Sequence, residues 1–323
     1  RRTAPPGRGA SALAAPPPVV LQVALSCAGL RALGIADAVI DGFSTEFVDG
    51  MSGNASRERR LGDIGSNAPG NWAWGTKLRV PHVLLLLYAL PGTLADWQRG
   101  IEEGIARGFE IIARLPGHLG ATEPFGFVDG ISQPTLDWQR IRPARDVELK
   151  HYTNLACLGE FVLGYPNEYG AYTDRPLLDP QGAAAELARA EEAPERADLG
   201  RNGSYLVLRQ LQQDVDRFWR ALTQRADGVA ARARQLAEAM VGRRMDGEPL
   251  DAGDPEATIE GSDPADALNA FTYRDDPHGL RCPLGAHVRR ANPRNADLPP
   301  GRPGLLSWAE RTLGFDADAL AKD

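Results

Sequence analysis

Apolar runs alternate with amphipathic stretches in the first half of the chain, and this pattern predicts a series of strands and helices. Apolar residues at 19–25, 80–89 and 109–115 predict three strands. Between them, residues 28–33 and 94–107 have the composition and apolar spacing of helices. This order of elements is typical of an α+β domain with an antiparallel sheet.

The second half of the chain repeats these patterns. Residues 160–164 and 204–208 predict short strands. Residues 210–222 space their apolar positions along one helical face, and residues 226–241 predict a second helix rich in alanine and arginine. Residues 178–199 are acidic and rich in alanine, which predicts a surface excursion.

The composition excludes several classes of protein. A chain of 323 residues, 43% of them hydrophobic, can form two modest domains or one large one. The net charge of −7 argues against nucleic acid as the main partner. No apolar run approaches the roughly 20 residues that cross a bilayer, so no membrane partner is predicted. Cys27, Cys157 and Cys282 are widely spaced, which fits a reducing compartment or simple burial.

The N-terminal residues 1–18 are rich in alanine, proline and glycine, and we predict that they form a disordered leader. An arginine pair opens the chain, but no apolar core follows it as it would in an export signal. On this basis the protein is predicted to be cytoplasmic.

A segment with the sequence RCPLGAHVRRANPR carries the first candidate chemistry. Pro283 can open a short helix and Pro293 can close it. On that helix His287, Arg290 and Arg294 are spaced i, i+3 and i+7, which puts them on roughly one face. An imidazole with cations one and two turns away is able to ligate a haem iron and bind its propionates.

A structural interpretation of the same residues stays open. A single histidine is often a hydrogen-bonded structural residue. The arginines can form a solvated face, or salt bridges to the acidic loop of residues 243–276 that precedes them.

A second segment, EPFGFVDGISQP, places an aspartate among glycines beside apolar residues. Gly126 and Gly130 allow a sharp turn or a close approach to a bound group. The carboxylate of Asp129, held beside an apolar surface, is a candidate proton shuttle. The alternative is a plain Asp-Gly turn between strands.

Together the two segments resemble the dye-decolourising (DyP-type) peroxidases. The sequence GFVDG at residues 126–130 matches the GxxDG motif of that family, and residues 282–294 match its proximal-histidine segment. Two further stretches, GEFVLGYPNEYG at residues 159–170 and NGSYLVLR at residues 202–209, are similar to the same family. The four segments occur in the order that the family has.

The resemblance implies a fold of two ferredoxin-like α+β domains with antiparallel sheets. Residues 19–150 would form the N-terminal domain that carries the GxxDG loop, and residues 151–323 the C-terminal haem-binding domain.

It also implies one haem b per chain, with His287 as the iron ligand in preference to the other histidines (His82, His118, His151 and His278). Asp129 would be the acid–base residue, and Arg290 and Arg294 would contact the propionates. The residues around Asp129 would help to bind the cofactor: Gly126, Phe127, Val128, Gly130, Ile131 and Ser132.

The implied activity is reduction of hydrogen peroxide and oxidation of dyes or phenolic-type organic donors, small or bulky. Because aspartate side chains ionise near pH 4 in model peptides, we predict activity that peaks below neutral pH. The resemblance is compatible with a homo-oligomer. It does not choose among the tryptophans that could relay electrons, Trp72, Trp74, Trp97, Trp138, Trp219 and Trp308.

The chain departs from the family after Arg294, where no segment matches the strand that carries a distal arginine. Arg302 lies in a Pro/Gly loop and Arg311 in an acidic segment, so neither is assigned that role. We therefore expect the second domain to be truncated. A non-catalytic haem-binding or haem-handling protein, or an inactive fragment, remains the alternative to a peroxidase.

Overall fold

A computed structural model describes residues 17–76, 79–117, 120, 122–131, 134–140, 155–250, 268–269, 271, 273, 276 and 278–292. The fold mixes helices with paired strands. Its strands are β1 Val19–Leu25, β2 Val83–Ala89, β3 Thr135–Leu136, β4 Leu155–Ala156, β5 Leu177–Leu178 and β6 Ala197–Asp198. Its α-helices are α1 Cys27–Ala32, α2 Asp37–Ile40, α3 Thr45–Asp49, α4 Ala55–Leu61, α5 Leu94–Ile105, α6 Val215–Arg225, α7 Ala230–Val241 and α8 His287–Ala291.

The described residues form two compact units, and both are discontinuous in sequence. The first contains the residues up to Gly117 together with Cys157–Leu208, and the second contains the intervening residues and those from Arg209 onwards. The sequence predicted one division near residue 150, whereas here the chain passes between the two units three times. No described helix is long and apolar enough to cross a membrane.

The first unit is built around the antiparallel pair β1–β2, with Val19 opposite Ala89 and Leu25 opposite Val83. Ser26 then caps α1, because its hydroxyl accepts the amide hydrogen of Gly29 at 3.0 Å. Gly29 packs so closely on the carbonyl of His82 that a Cβ there would clash with it. The predicted strand 19–25 and helix 28–33 are therefore confirmed, with a close helix–strand contact that only glycine allows.

Helix α5 confirms the predicted helix 94–107 and carries a bidentate ion pair to the segment that follows it. The Arg114 guanidinium donates to both carboxylate oxygens of Glu102, at 2.9 and 2.8 Å, and Gln98 donates to one of them at 2.8 Å. These hydrogen bonds, that of Arg114 first, lower the pKa of Glu102 from 4.5 to about 2.

Replacing Arg114 with alanine is expected to raise the pKa of Glu102 from about 2 towards 4.5, partway because Gln98 still donates. Because the pKa of Glu102 is lower in the folded chain, its ionised carboxylate stabilises the fold above pH 4.5, and this stabilisation is lost as the pH falls towards 2. The stability of the variant is expected to depend less on pH in this range. The measurement is an NMR titration of the Glu102 carboxyl carbon. Arg99→Ala, which removes the partner of Asp96 on the same helix, is the control and leaves the pKa of Glu102 in place.

Three predicted strands are wrong. Residues 109–115 and 204–208 have no regular secondary structure, and residues 160–164 lie in a 3-10 helix, Leu158–Glu160, and the turn after it. In that turn the amides of Phe161 and Val162 both donate to the carbonyl of Leu158, at 3.2 and 2.9 Å. Local hydrogen bonds of this kind compete with strand pairing, which requires a partner elsewhere in the chain.

The surface excursion predicted for residues 178–199 is confirmed for most of the segment, which is exposed or half-buried, but three of its residues are buried. Ala190, Ala197 and Asp198 are buried, and the last two form β6, which pairs antiparallel with β5. The buried Arg175 donates to the Asp198 carboxylate at 2.7 Å. A buried arginine requires a partner such as this, and the pair holds the acidic segment in the interior.

In the second unit, α6 and α7 pack against each other around small and apolar side chains. The cluster contains Phe127, Leu222, Ala226, Ala233 and Ala237. Helix α6 begins at Val215, later than predicted, because the Asp214 carboxylate accepts the amide hydrogen of Arg217 at 2.9 Å and caps the helix there. The strands β3 and β4 of this unit pair in parallel.

Helix α8 begins at His287, so the prediction that Pro283 opens this helix is wrong. The carbonyl of Pro283 instead accepts the amide hydrogen of Ala286 at 2.9 Å, which forms a turn. Pro293, predicted to close the helix, lies outside the described residues.

Candidate functional site

The loop that carries Asp129 is organised by the carboxylate of Glu123. One oxygen of this carboxylate accepts the amide hydrogen of Phe125 at 3.0 Å, and the other accepts that of Phe127 at 2.9 Å. The backbone amides of Glu123 and Gly126 add hydrogen bonds to the carbonyls of Phe127 and Glu123, at 2.8 and 2.9 Å. A carboxylate that accepts several amides holds a tight turn firmly, and Asp129 follows directly from it.

The two glycines of the loop adopt backbone conformations that side chains disfavour. Gly126 has φ +98° and Gly130 has φ +76°. At Gly126 a Cβ would also lie 2.7 Å from the methyl carbon of Met245, whereas at Gly130 it would meet no atom within 4 Å. Gly126 therefore serves close packing, and Gly130 lies beside open space.

The loop is anchored on the hairpin turn that follows α7. Phe127 is buried in the α6–α7 cluster, and the amide of Val128 donates to the carbonyl of Met245 at 3.0 Å. The half-buried Ile131 packs so closely on Gly247 that a side chain there would clash. These contacts give Phe127, Val128 and Ile131 clear packing roles.

Asp129 itself is exposed. Its carboxylate accepts the amide hydrogen of Gly130 at 2.6 Å, and no other described residue pairs with it. Apart from this local hydrogen bond, the side chain of Asp129 is exposed and available for chemistry.

The turn before α8 is held by a second carboxylate, that of Asp276, which is 3% exposed. It accepts the amide hydrogens of Leu280, Arg281 and Cys282, and the shortest of these hydrogen bonds is 2.7 Å. It also forms an ion pair with Arg289 at 3.2 Å. Burial opposes ionisation of this carboxyl, but the three amides and the Arg289 charge outweigh it and lower the pKa of Asp276.

Arg289 is the inward-facing residue of α8. Its guanidinium donates to the carbonyls of Cys282 and Asp276, both at 2.8 Å, and lies 4.5 Å from the centre of the Tyr273 ring. The ion pair that the structural interpretation expected for Arg290 is thus made by its neighbour, Arg289.

His287 and Arg290 are both exposed on α8. Neither side chain has a hydrogen-bond or ion-pair partner among the described residues. Beside them, a Cβ at Gly285 would meet no atom within 4 Å. Among the described residues, the imidazole is therefore accessible to an external ligand.

The second unit contains every described residue that the sequence nominated. Both segments pack on the C-terminal end of α7: Val128 through Met245, and α8 through Gly242, where a Cβ would lie 3.2 Å from the Cβ of Ala286. Ser132 and Arg294 lie outside the described residues, so their predicted roles stay predictions.

Sequence reasoning missed the residues that hold the two segments in place. Glu123 lies inside the segment EPFGFVDGISQP that was already selected from the sequence. Its carboxylate accepts the amide hydrogen of Phe125, only two residues later, and such a short spacing is a weak sequence signal for a turn. Asp276 lies in the turn-like sequence DDPHG, where an aspartate commonly accepts nearby amides. Arg243 and Asn269 gave no signal, because their contacts join distant parts of the chain.

The described donors fit a haem better than a metal ion held by protein alone. No group of three or more His, Cys, Asp or Glu side chains in the described part of the chain is arranged to hold a metal ion. A haem supplies four nitrogen ligands itself and requires one axial side chain, such as an accessible, unpaired imidazole. His287 meets that requirement, and the exposed guanidinium of Arg290 is able to bind a carboxylate of the same group.

The described chain is thus a mixed α/β protein with two antiparallel strand pairs and one parallel pair, and it presents an imidazole and a carboxylate from one unit. No model of a known protein family matches it. Curated relatives do match: the dye-decolorizing peroxidase msp1 of Mycetinis scorodonius is 28% identical over 298 residues, which cover 88% of this chain and 51% of the relative. The predicted resemblance to dye-decolorizing peroxidases is confirmed.

Solved structures agree. The crystal structure of a decolorizing peroxidase from Auricularia auricula-judae matches with a TM-score of 0.59 and 28% identity, over 90% of this chain and 60% of that one. A dye-decolorizing peroxidase whose haem pocket was engineered for asymmetric sulfoxidation matches with a TM-score of 0.58 and 27% identity, over 90% of this chain and 59% of that one. The chain spans about half the length of the curated relatives it matches.

Proposed function

We propose that this chain is part of a haem-dependent peroxidase of the dye-decolourising type, which reduces hydrogen peroxide and oxidises dyes or phenolic-type donors. The observation that carries the proposal is the pair of exposed side chains in the second unit. Among the described residues, neither the imidazole of His287 nor the carboxylate of Asp129 has a side-chain partner, while the residues around them are committed to packing and hydrogen bonds. The similarity to dye-decolorizing peroxidases over nine-tenths of the chain supports the same assignment.

Each residue has a role that follows from its position. His287 would hold the iron, and Arg290, on the same exposed part of α8, would bind a propionate. When bound, the haem would supply the electrons that reduce peroxide. The Asp129 carboxylate would take a proton from one peroxide oxygen and return it to the other, which then leaves as water.

We propose further that the chain contributes two ferredoxin-like domains. The antiparallel pair β1–β2 supports this for the first unit, since two strands alone form a marginal sheet. In the same unit, residues 109–115 and 204–208 have no regular secondary structure but expose large apolar side chains, among them Phe109 and Val207, which a larger sheet would bury. The cytoplasmic location and a homo-oligomer stay predictions.

The test is to mix the purified chain with haem, record the visible spectrum and then add peroxide with a dye. A Soret band together with peroxide-dependent loss of dye colour supports the peroxidase. A Soret band that only bleaches supports a non-catalytic haem-binding protein. The absence of a Soret band contradicts both and favours an inactive fragment.

Replacing Asp129 with asparagine is expected to leave haem binding unchanged and to slow the reaction with peroxide by about 10²–10⁴-fold, the usual contribution of a general acid–base group. Stopped-flow mixing of the haem-loaded variant with peroxide measures this rate. Asp137→Asn, in the same unit, is a poor control because Asp137 is buried; Asp216→Asn on the exposed side of α6 is the matched one. A wild-type rate that is constant from about pH 4 to pH 9 would contradict the role of Asp129.

A further inference from the structure

The loop that carries Asp129 and the helix α8 that begins at His287 are both connected to Gly242 or Arg243, the two residues that follow α7. We call residues 242–243 the α7 step. Gly242 ends the helix with φ +90°. A Cβ at Gly242 would lie 3.2 Å from the Cβ of Ala286 and 3.4 Å from that of Val288, the residues on either side of His287. Gly242 therefore lies close to the two residues that flank His287.

Arg243, the second residue of the α7 step, connects it to the loop that carries Asp129. Its guanidinium is buried and donates to the carbonyls of Gly247 and Leu268, each at 2.8 Å, and to the side-chain oxygen of Asn269 at 2.9 Å. It also lies 5.3 Å from the centre of the Phe271 ring. The planar guanidinium of arginine can donate these three hydrogen bonds at once, whereas the ammonium group of lysine does not reproduce this geometry.

Asn269 links Arg243 to the loop that carries Asp129. It is buried, and its side-chain nitrogen donates to the carbonyl of Ile131 at 2.7 Å. The orientation of the amide follows from its partners, because a guanidinium only donates and a backbone carbonyl only accepts. Ile131 is two residues beyond Asp129, so the hydrogen bond fixes the loop just after the carboxylate.

We propose that Arg243 and Asn269 are positioning residues that hold the Asp129 loop in register with the His287 helix. Neither reaches the exposed side chains themselves, so their effect passes through the backbone of Ile131 on one side and of Gly242 on the other. The inference rests on the proposed function, because it assigns the two residues to the same site. It predicts that cutting the link at Asn269 disturbs Asp129 and spares His287.

Asn269→Asp is the variant that cuts this link selectively. The new carboxylate still accepts from Arg243, but it has no hydrogen to donate and faces the Ile131 carbonyl with a second acceptor. In the chain without haem, amide hydrogen exchange at Gly130 and Ile131 is expected to accelerate about tenfold, with exchange in α7 and α8 unchanged. In the haem-loaded chain the Soret band stays in place, and the rate of reaction with peroxide falls roughly tenfold or more.

The control is Arg232→Lys, an exposed arginine of α7 whose described partner is Asp227, and it changes neither measurement. Asn269→Ser, a smaller side chain that removes the same donor, replaces Asn269→Asp if that variant does not fold. Unchanged exchange at Gly130 and Ile131 in the variant overturns the positioning role. If the wild type has no Soret band, the proposed function fails, and the exchange comparison alone decides whether Asn269 holds the loop.

Discussion

Replacing His287 with alanine is expected to abolish haem binding by this chain and, with it, any peroxidase activity. The imidazole is exposed and has no partner among the described residues, so its loss would remove the proposed iron ligand without disturbing a described hydrogen bond. Losing a residue that merely supports a metal ligand costs roughly 10–100-fold in affinity, so losing the ligand itself is expected to cost more than about 100-fold. Haem titration followed at the Soret band measures the change.

The matched control is His278→Ala, since His278 is also exposed and lies in the turn before α8. It is expected to bind haem as the wild type does. His287→Gly, supplied with free imidazole, is expected to recover the Soret band because the small molecule takes the place of the side chain. Undiminished haem affinity in His287→Ala would remove this residue from the site and the proposed function with it.

Replacing Asp276 with alanine is expected to lower the free energy of unfolding by about 3–5 kcal/mol, the usual cost of leaving one partner of a buried ion pair alone. Three backbone amides and the guanidinium of Arg289 lose their acceptor together. Arg289 is 5% exposed, so water does not readily replace the missing carboxylate. Urea denaturation measures the difference, and haem affinity is expected to fall with it because this turn supports α8.

Asp179→Ala is the matched control, because Asp179 forms an ion pair of 3.0 Å with Arg196 while its side chain is 73% exposed. Such surface pairs contribute about 0–1 kcal/mol. The pH dependence offers a second test. Because the pKa of Asp276 is lowered in the folded chain, its contribution is complete above the ordinary value of 3.8 and is lost as the pH falls through the lowered value. Asp276→Asn is expected to remove this acid-induced loss, and an unchanged acid limb would contradict the assignment.

Elements whose signals lie in neighbouring residues were predictable from the sequence. Strand β1 and helix α5 follow from apolar spacing, and the helix period already separates Arg289 from the face that holds His287 and Arg290. The motif GFVDG identified Asp129 because glycine and aspartate at those positions have local backbone consequences. The roles of His287 and Asp129 in chemistry stay predictions.

Only the tertiary structure decided which polar residues are structural. Residues 204–208 have a strand-like sequence, but a strand depends on a partner that its own sequence does not specify. Arg289 can be buried because it forms an ion pair with Asp276. Arg243 is linked to the loop that carries Asp129 through Asn269, a residue 26 positions later in the chain. The sequence by itself therefore determined the candidate chemistry and the helices with strong local signals. Contacts between distant residues, whose hydrogen bonds have no local periodicity, determined how that chemistry is held.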